Sequence, residues 1–286
     1  MYIASLIGPR LDAALVDALR MAWGGQEPVH LCPGEAAEFA IADTPSNLWD
    51  VWADLQREHV DLVVQPAIGR KKAMLLADMD STMIRQECID ELADEAGFGE
   101  RVAAITARAM NGELDFEEAI IERVGLLKGL PEAVIQKVLD TRIEMIPGGA
   151  TLLATMRANG GYAALVSGGF TAFTEAVAAQ LGFDENRANT LCAEAGVLTG
   201  EVGRPILGQQ AKVDALEQIT ARLGIEADEV IAVGDGANDL GMLSRAGTGV
   251  ALHAKPSVAE QCSVRINQGD LTALLYLQGY SKDQFV

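Results

Sequence analysis

Three apolar runs in this chain each stop at a polar residue. Ala73–Ala77 ends at Asp78, Tyr162–Val166 at Ser167 and Val230–Gly234 at Asp235. Short, unbroken apolar runs separated by helical segments are the pattern of strands buried on both faces of a parallel sheet. The order predicts an α/β fold with a doubly wound parallel sheet across residues 73–286. In such sheets ligands bind outside the carboxyl ends of the strands, so all three polar stops are expected on one edge. Between the first two runs lies a long insert, roughly 84–145, rich in Ala, Glu, Ile and Leu and broken at Gly97, Gly112 and Gly129-Leu130-Pro131. It reads as a four-helix lid over the strand ends.

The first seventy residues read as a unit of their own. Tyr2–Ile7 is a strand ended by Gly8-Pro9, and Leu11, Leu15, Ala18, Leu19 and Ala22 recur at helical spacing. Pro28–Cys32 and Ala36–Ala42 read as strands, Leu48, Trp52 and Leu55 as a second helix, and Val60–Val64 as a last strand. The order βαββαβ predicts a ferredoxin-like domain over 1–70. Arg70-Lys71-Lys72 is expected to be an exposed link to the remainder.

The net charge of −19 argues against nucleic acid and anionic membranes, which are held by neutralising phosphates with Lys and Arg. An anionic small molecule then needs a locally positive site or a metal. Cys32, Cys88, Cys192 and Cys262 form no C-x-x-C and read as free thiols of a reducing compartment. His30, His59 and His253 are scattered, so a structural zinc site has little support. The start lacks signal-peptide character, and no apolar stretch reaches the roughly 18 residues of a membrane span. A cytoplasmic address is expected.

Four features carry chemistry: Asp78-x-Asp80-x-Thr82, Ser167-Gly168-Gly169, Lys212, and Gly234-Asp235-Gly236-Ala237-Asn238-Asp239. Each has a plain alternative. The aspartates suit a turn that caps a helix, Ser167 suits a cap for a helix near Thr171, and Lys212 suits a solvated helix position. Against this, two carboxylates one residue apart at the end of a buried strand repel each other and are costly to desolvate. A divalent cation or a reaction justifies that cost. Gly234-Asp235-Gly236 begins like a dinucleotide fingerprint, but Asp239 stands where its third glycine is required.

In these motifs the chain resembles the haloacid dehalogenase-like phosphatases and, within them, the phosphoserine phosphatases of serine biosynthesis. Further stretches carry the likeness: Gln86-Glu87-Cys88-Ile89-Asp90-Glu91-Leu92-Ala93, Val166–Phe170, Ala195-Gly196-Val197-Leu198-Thr199-Gly200, Val233–Asp239 and Ala254-Lys255-Pro256. Met79 stands where that subfamily commonly has Phe. The resemblance implies Mg²⁺ held by the side chains of Asp78 and Asp235 and the main-chain carbonyl of Asp80, oxygen donors that suit this ion. It implies Asp78 as nucleophile, forming an aspartyl phosphate. Asp80 follows as general acid and then base, kept protonated at first by burial and its like-charged neighbour. Ser167, the Gly168 N–H and Lys212 are expected to hold the phosphoryl oxygens, with Asp239 behind Lys212 or the metal waters.

The resemblance also places Glu87 at a substrate ammonium, Arg123 at a carboxylate and Phe116 as an apolar wall between them, with Asn238 near substrate or phosphate. The implied substrate is O-phosphoserine, hydrolysed to serine. A relative acting on phosphohomoserine or phosphocholine is the nearest alternative. An amino-acid sensor is another, because the N-terminal unit resembles ACT modules. No ligand-binding constellation is legible in that unit, so its expected role is the contact surface of a homodimer.

Overall fold

The computed structural model describes residues 1–110 and 113–286; the break expected at Gly112 lies outside the described residues. The N-terminal unit runs β1 (Tyr2–Ile7), α1 (Ala13–Ala22), β2 (Val29–Cys32), β3 (Ala36–Ile41), α2 (Leu48–Arg57) and β4 (Asp61–Pro66). Its antiparallel sheet has the order β2-β3-β1-β4, that of a ferredoxin-like sandwich. Alternation sends Ala4, Leu6, Phe39 and Leu62 toward Val16, Leu19 and Leu55 of the helices. The opposite set, Ile7, Leu31, Ala36 and Val63, joins the core of the following domain beside Ala273 and Tyr276. This unit's second sheet face is therefore covered by its own chain.

The junction corrects one expectation. Arg70 is not a solvated linker residue: it makes a two-pronged pair with Glu38 (Nη1–Oε1 3.0 Å, Nη2–Oε2 2.5 Å) and donates to the carbonyls of Leu277 and Tyr276. Lys72 donates to the Asp228 carbonyl, and the ammonium of Lys71 lies over the Tyr280 ring. On the other side, Asp61 accepts the backbone N–H groups of Asn267, Gln268 and Gly269 at 2.8–2.9 Å. A basic triplet reads as exposed until the carboxylate and carbonyls that satisfy it are folded against it.

After the junction come β5 (Met74–Ala77) and four helices, α3 (Cys88–Glu95), α4 (Gly99–Met110), α5 (Phe116–Gly125) and α6 (Ala133–Thr141). Then follow α7 (Gly149–Ala158), β6 (Tyr162–Phe170), α8 (Thr171–Leu181) and β7 (Glu185–Asn189). A hairpin of β8 (Leu191–Glu194) and β9 (Val197–Val202) leads to α9 (Gln209–Leu223) and β10 (Val230–Gly234). The chain ends with α10 (Leu240–Arg245), β11 (Thr248–Leu252), α11 (Pro256–Ala259), β12 (Val264–Ile266) and α12 (Ala273–Leu277).

The main sheet has the order β12-β11-β10-β5-β6-β7, and every pairing in it is parallel. From β5 the chain winds outward through β6 and β7, then returns to lay β10, β11 and β12 on the other side. The direction of winding reverses between β5 and β10. That switch point opens a crevice at the carboxyl ends, and Asp78 and Asp235 stand on its two sides. One strand differs from its expected limit. β6 does not stop at Val166 but resumes pairing at Phe170, so Ser167-Gly168-Gly169 is a bulge within the strand.

Candidate active site

Asp78 still belongs to the ladder, its N–H donating to the carbonyl of Val233 on β10 at 3.0 Å. The chain then wraps tightly, the Met79 carbonyl accepting N–H bonds from Thr82, Met83 and Ile84. The turn forces Ser81 to φ +57°, a left-handed conformation that is strained for any residue but Gly. Bonds from Ser81 N–H to the Gln86 carbonyl and from its hydroxyl to Glu87 hold it there. Through this turn Asp78 and Asp80 border one cavity.

Asp78, Asp235, Asp239 and Lys212 are 5%, 6%, 0% and 1% exposed. The bland reading of Lys212 as a solvated helix residue fails here. From the first turn of α9 its ammonium lies 2.5 Å from Oδ1 of Asp78 and 2.5 Å from Oδ1 of Asp239. The other oxygen of Asp239 accepts the N–H groups of Asp235 and Gly236, and Thr82 donates to Asp235 at 3.1 Å. Burial would lower the Lys212 pKa, but Asp78 and Asp239 more than offset this and raise it. Burial pushes Asp78 well up despite Lys212, and burial with the charges of Asp239 and Glu87 pushes Asp235 up to about 6.

Three buried carboxylates face one buried ammonium. Two negative charges are thus uncompensated, a state proteins avoid by binding a cation or taking up protons. Carboxylate oxygens of Asp78, Asp235 and Asp239 all lie within 4.8 Å of one another. This hard, all-oxygen donor set and its surplus charge fit a divalent cation.

Asp80 sits differently. Its Oδ1 accepts the Cys88 N–H at the start of α3 at 2.9 Å, and Oδ2 accepts from Ser167 Oγ at 3.2 Å. Burial, followed by the charge of Glu87, pushes it up to about 6. The like-charged neighbour that matters most to Asp80 is therefore Glu87 rather than Asp78. Ser167 also accepts the Gly169 N–H at 2.8 Å. A side chain at Gly169 has no room, since Oδ2 of Asp80 lies 2.6 Å from where its Cβ would stand.

The cavity measures about 560 Å³. Asp78, Asp80, Glu87, Phe116, Arg123, Ser167, Gly168, Asp235 and Asn238 all border it, and Lys212 and Asp239 support it from behind. Glu87 precedes α3 without capping it. Phe116 and Arg123 line the same wall from α5, as a two-turn separation allows. Arg123 donates from Nε to the Ala119 carbonyl and forms no ion pair among the described residues. A second cavity, of about 620 Å³, lies between β4 and α10–β12, but no charged side chain lines it, so the chemistry belongs to the first.

Residues 75–244 match the model of the haloacid dehalogenase-like hydrolase family. The chain belongs to that family. Among curated proteins, the phosphoserine phosphatase of Haemophilus influenzae is 46% identical over 224 residues, 78% of this chain and 71% of that protein. The crystal structure of a hydrolase of the family from Salmonella enterica serovar Typhi superposes with a TM-score of 0.89 at 32% identity, covering 99% of this chain and 98% of that one. A structure described as a phospho-aspartyl intermediate analogue of phosphoserine phosphatase is 40% identical, with a TM-score of 0.67 over 72% of this chain and 98% of its own.

Sequence reasoning passed over three contributors to the site. Thr82 belongs to the Asp78-x-Asp80-x-Thr82 motif, but nothing in the motif shows that its partner is Asp235. Lys255, quoted only within a motif, borders the cavity, and its N–H donates to the Asp235 carbonyl. Asn189 joins the Ser167 bulge to the segment before α9. Nothing local distinguishes Asn189 from Asn186 in Glu185-Asn186-Arg187-Ala188-Asn189.

Proposed function

We propose that this hydrolase releases phosphate from O-phosphoserine with Mg²⁺, through a phosphorylated Asp78. One observation carries the reading. The cavity beside the aspartate–lysine cluster also presents a guanidinium, Arg123, with no ion pair among the described residues, and a carboxylate, Glu87. A phosphomonoester with an ammonium and a carboxylate matches those charges one for one. Phosphocholine, with no carboxylate, leaves Arg123 unused. The names borne by the similar proteins support the same substrate.

The chemistry follows from the residues. Asp78, Asp235 and the Asp80 carbonyl would hold Mg²⁺, with Asp239, whose oxygens are taken by Lys212 and the Asp235 and Gly236 N–H groups, behind them. The ion would supply the positive charge that lets a carboxylate meet a phosphate dianion. Lys212 holds one oxygen of Asp78, leaving the other to attack phosphorus as the P–O bond to serine breaks. Asp80, pushed up to about 6 by burial and the charge of Glu87, carries a proton in a minor but usable fraction of molecules at neutrality and delivers it to the departing serine oxygen. As a carboxylate it then takes a proton from the water that attacks the aspartyl phosphate, which frees phosphate and restores Asp78. Ser167, the Gly168 N–H and Lys212 hold the phosphoryl oxygens as charge redistributes. Asn238 faces substrate or phosphate.

We also read residues 1–70 and 73–286 as two domains of a cytoplasmic homodimer, with 84–145 as the cap. The free state of all four cysteines supports the compartment, and the exposed Met21 and Val29 support a pairing surface on the N-terminal domain. Among the described residues no helix is long and apolar enough to cross a membrane.

The test is phosphate release from the phosphate esters of serine, homoserine, threonine and choline, with and without Mg²⁺. Phosphoserine should be the best substrate and the rate should collapse without the metal. Release that is fastest from phosphocholine, or from none of the four, would refute the proposal.

A further inference from the structure

β6 and β7 pair in register as far as Val166 and Arg187, and the ladder resumes at Phe170 and Asn189. Ser167, Gly168 and Gly169 occupy the gap on β6, opposite Ala188 alone on β7. The excess residues are pushed out of the sheet into the cavity, which is why Ser167 faces the reacting groups. A bulge gives up ladder bonds and needs other anchors to stay in one conformation.

Asn189 provides one. It is 2% exposed, and its amide bonds to two separate segments. Nδ2 donates to the Gly168 carbonyl at 2.8 Å and to the Leu207 carbonyl at 3.1 Å, while Oδ1 accepts the Leu207 N–H at 2.6 Å. Because the Leu207 N–H requires an acceptor, only one orientation of the amide fits. Leu207 and Gly208 lead directly into α9, whose first turn carries Lys212. One side chain therefore ties the serine bulge to the lysine helix.

The cap rests on the same two segments. A Cβ on Gly168 would lie 3.1 Å from Cζ of Phe116, and a Cβ on Gly208 would lie 3.2 Å from Cδ1 of the same ring. The ring is seated in a notch between the glycines, and Asn189 bridges the notch from behind.

We propose that Asn189 is a positioning residue for phosphoryl transfer: it sets the separation of the Ser167–Gly168 bulge and the Lys212 helix, and so the seat of the cap residue Phe116. The inference rests on the phosphatase reading of the cavity. Asn189→Asp keeps the shape but loses both N–H donors and sets a carboxylate against two carbonyls. Asn189→Ala removes the bridge without adding charge.

Kinetics on O-phosphoserine and p-nitrophenyl phosphate, with thermal melts of each variant, test it. The wild type must hydrolyse phosphoserine; if it does not, the phosphatase reading fails, independently of Asn189. With an active wild type, both variants should show kcat reduced about 100-fold on both substrates at temperatures where they are fully folded. Folded variants with kcat within twofold of wild type would overturn the inference, as would losses that only track the unfolded fraction. Gly208→Ala leaves the Asn189 bonds in place, so it tests the notch even if the Asn189 variants do not fold. It should raise KM for phosphoserine at least tenfold, and unchanged kinetics would overturn the proposed seat.

Discussion

The ammonium of Lys212 lies 2.5 Å from Oδ1 of Asp78, both side chains being withdrawn from solvent. Removing the cation leaves three buried aspartates with no counter-charge. Lys212→Met should therefore destabilise the metal-free protein by about 3–5 kcal/mol, the usual cost of orphaning a buried ion-pair partner. Mg²⁺ should restore part of the loss. Thermal melts with and without the ion measure this, and a variant melting like the wild type would show the ion pair to be dispensable.

Asp78→Asn keeps the size of the side chain but removes its nucleophilic charge. Turnover should fall by about 10⁴-fold or more, and no phosphorylated protein should be trapped on acid quenching. Intact-mass spectrometry of quenched wild type and variant decides the matter. Full turnover by the variant would assign the nucleophile elsewhere.

Arg123→Ala tests the substrate wall. Loss of a charge-assisted contact to a carboxylate should lower kcat/KM for phosphoserine by about 10- to 100-fold, while p-nitrophenyl phosphate, lacking the group, is largely spared. Equal losses on the two substrates would contradict the assignment.

Metal binding should depend on pH with a defined sign. Asp235 is raised from 3.8 to about 6, so the folded, metal-free protein keeps a proton that the unfolded chain releases. From this group alone, stability declines as pH rises from about 4 to about 6 and levels off above. Cation binding requires the carboxylate, so affinity should be about tenfold weaker at pH 5 than at pH 7. Titrations of Mg²⁺ followed by thermal shift at both values check this, and a pH-independent affinity would count against Asp235 as a ligand.

At the junction, Arg70 uses all three of its nitrogen positions, on Glu38 and on two carbonyls. Lys cannot reproduce that fork. Arg70→Lys keeps the charge but loses the fork, and should cost about 1–2 kcal/mol in urea unfolding. It should also expose the N-terminal unit to limited proteolysis; a cleavage pattern like that of the wild type would rule out a clamp at this position.

The three apolar runs determined the parallel sheet and its functional edge. The number of residues between them left room for the helical insert, and alternation in the first seventy residues carried the βαββαβ order. These are properties of short stretches: burial on two faces, on one face or on a helical stripe leaves its period in the chain whatever the surroundings. Asp78, Asp80 and Asp235 were legible for the same reason, since each lies at or just beyond the polar end of an apolar run. The run that ends at Ser167 reads as the end of a strand, because a bulge is defined by what the neighbouring strand does. Arg70 folding onto Glu38, Glu87 raising Asp80, and Asn189 reaching Gly168 and Leu207 were decided only by the tertiary structure. The Arg70 and Asn189 bonds join groups on separate elements, and Glu87 reaches Asp80 only because the loop between β5 and α3 folds back on itself; none of these has a period in the chain. Their geometry exists only once packing has excluded water and left each buried donor a single acceptor within reach.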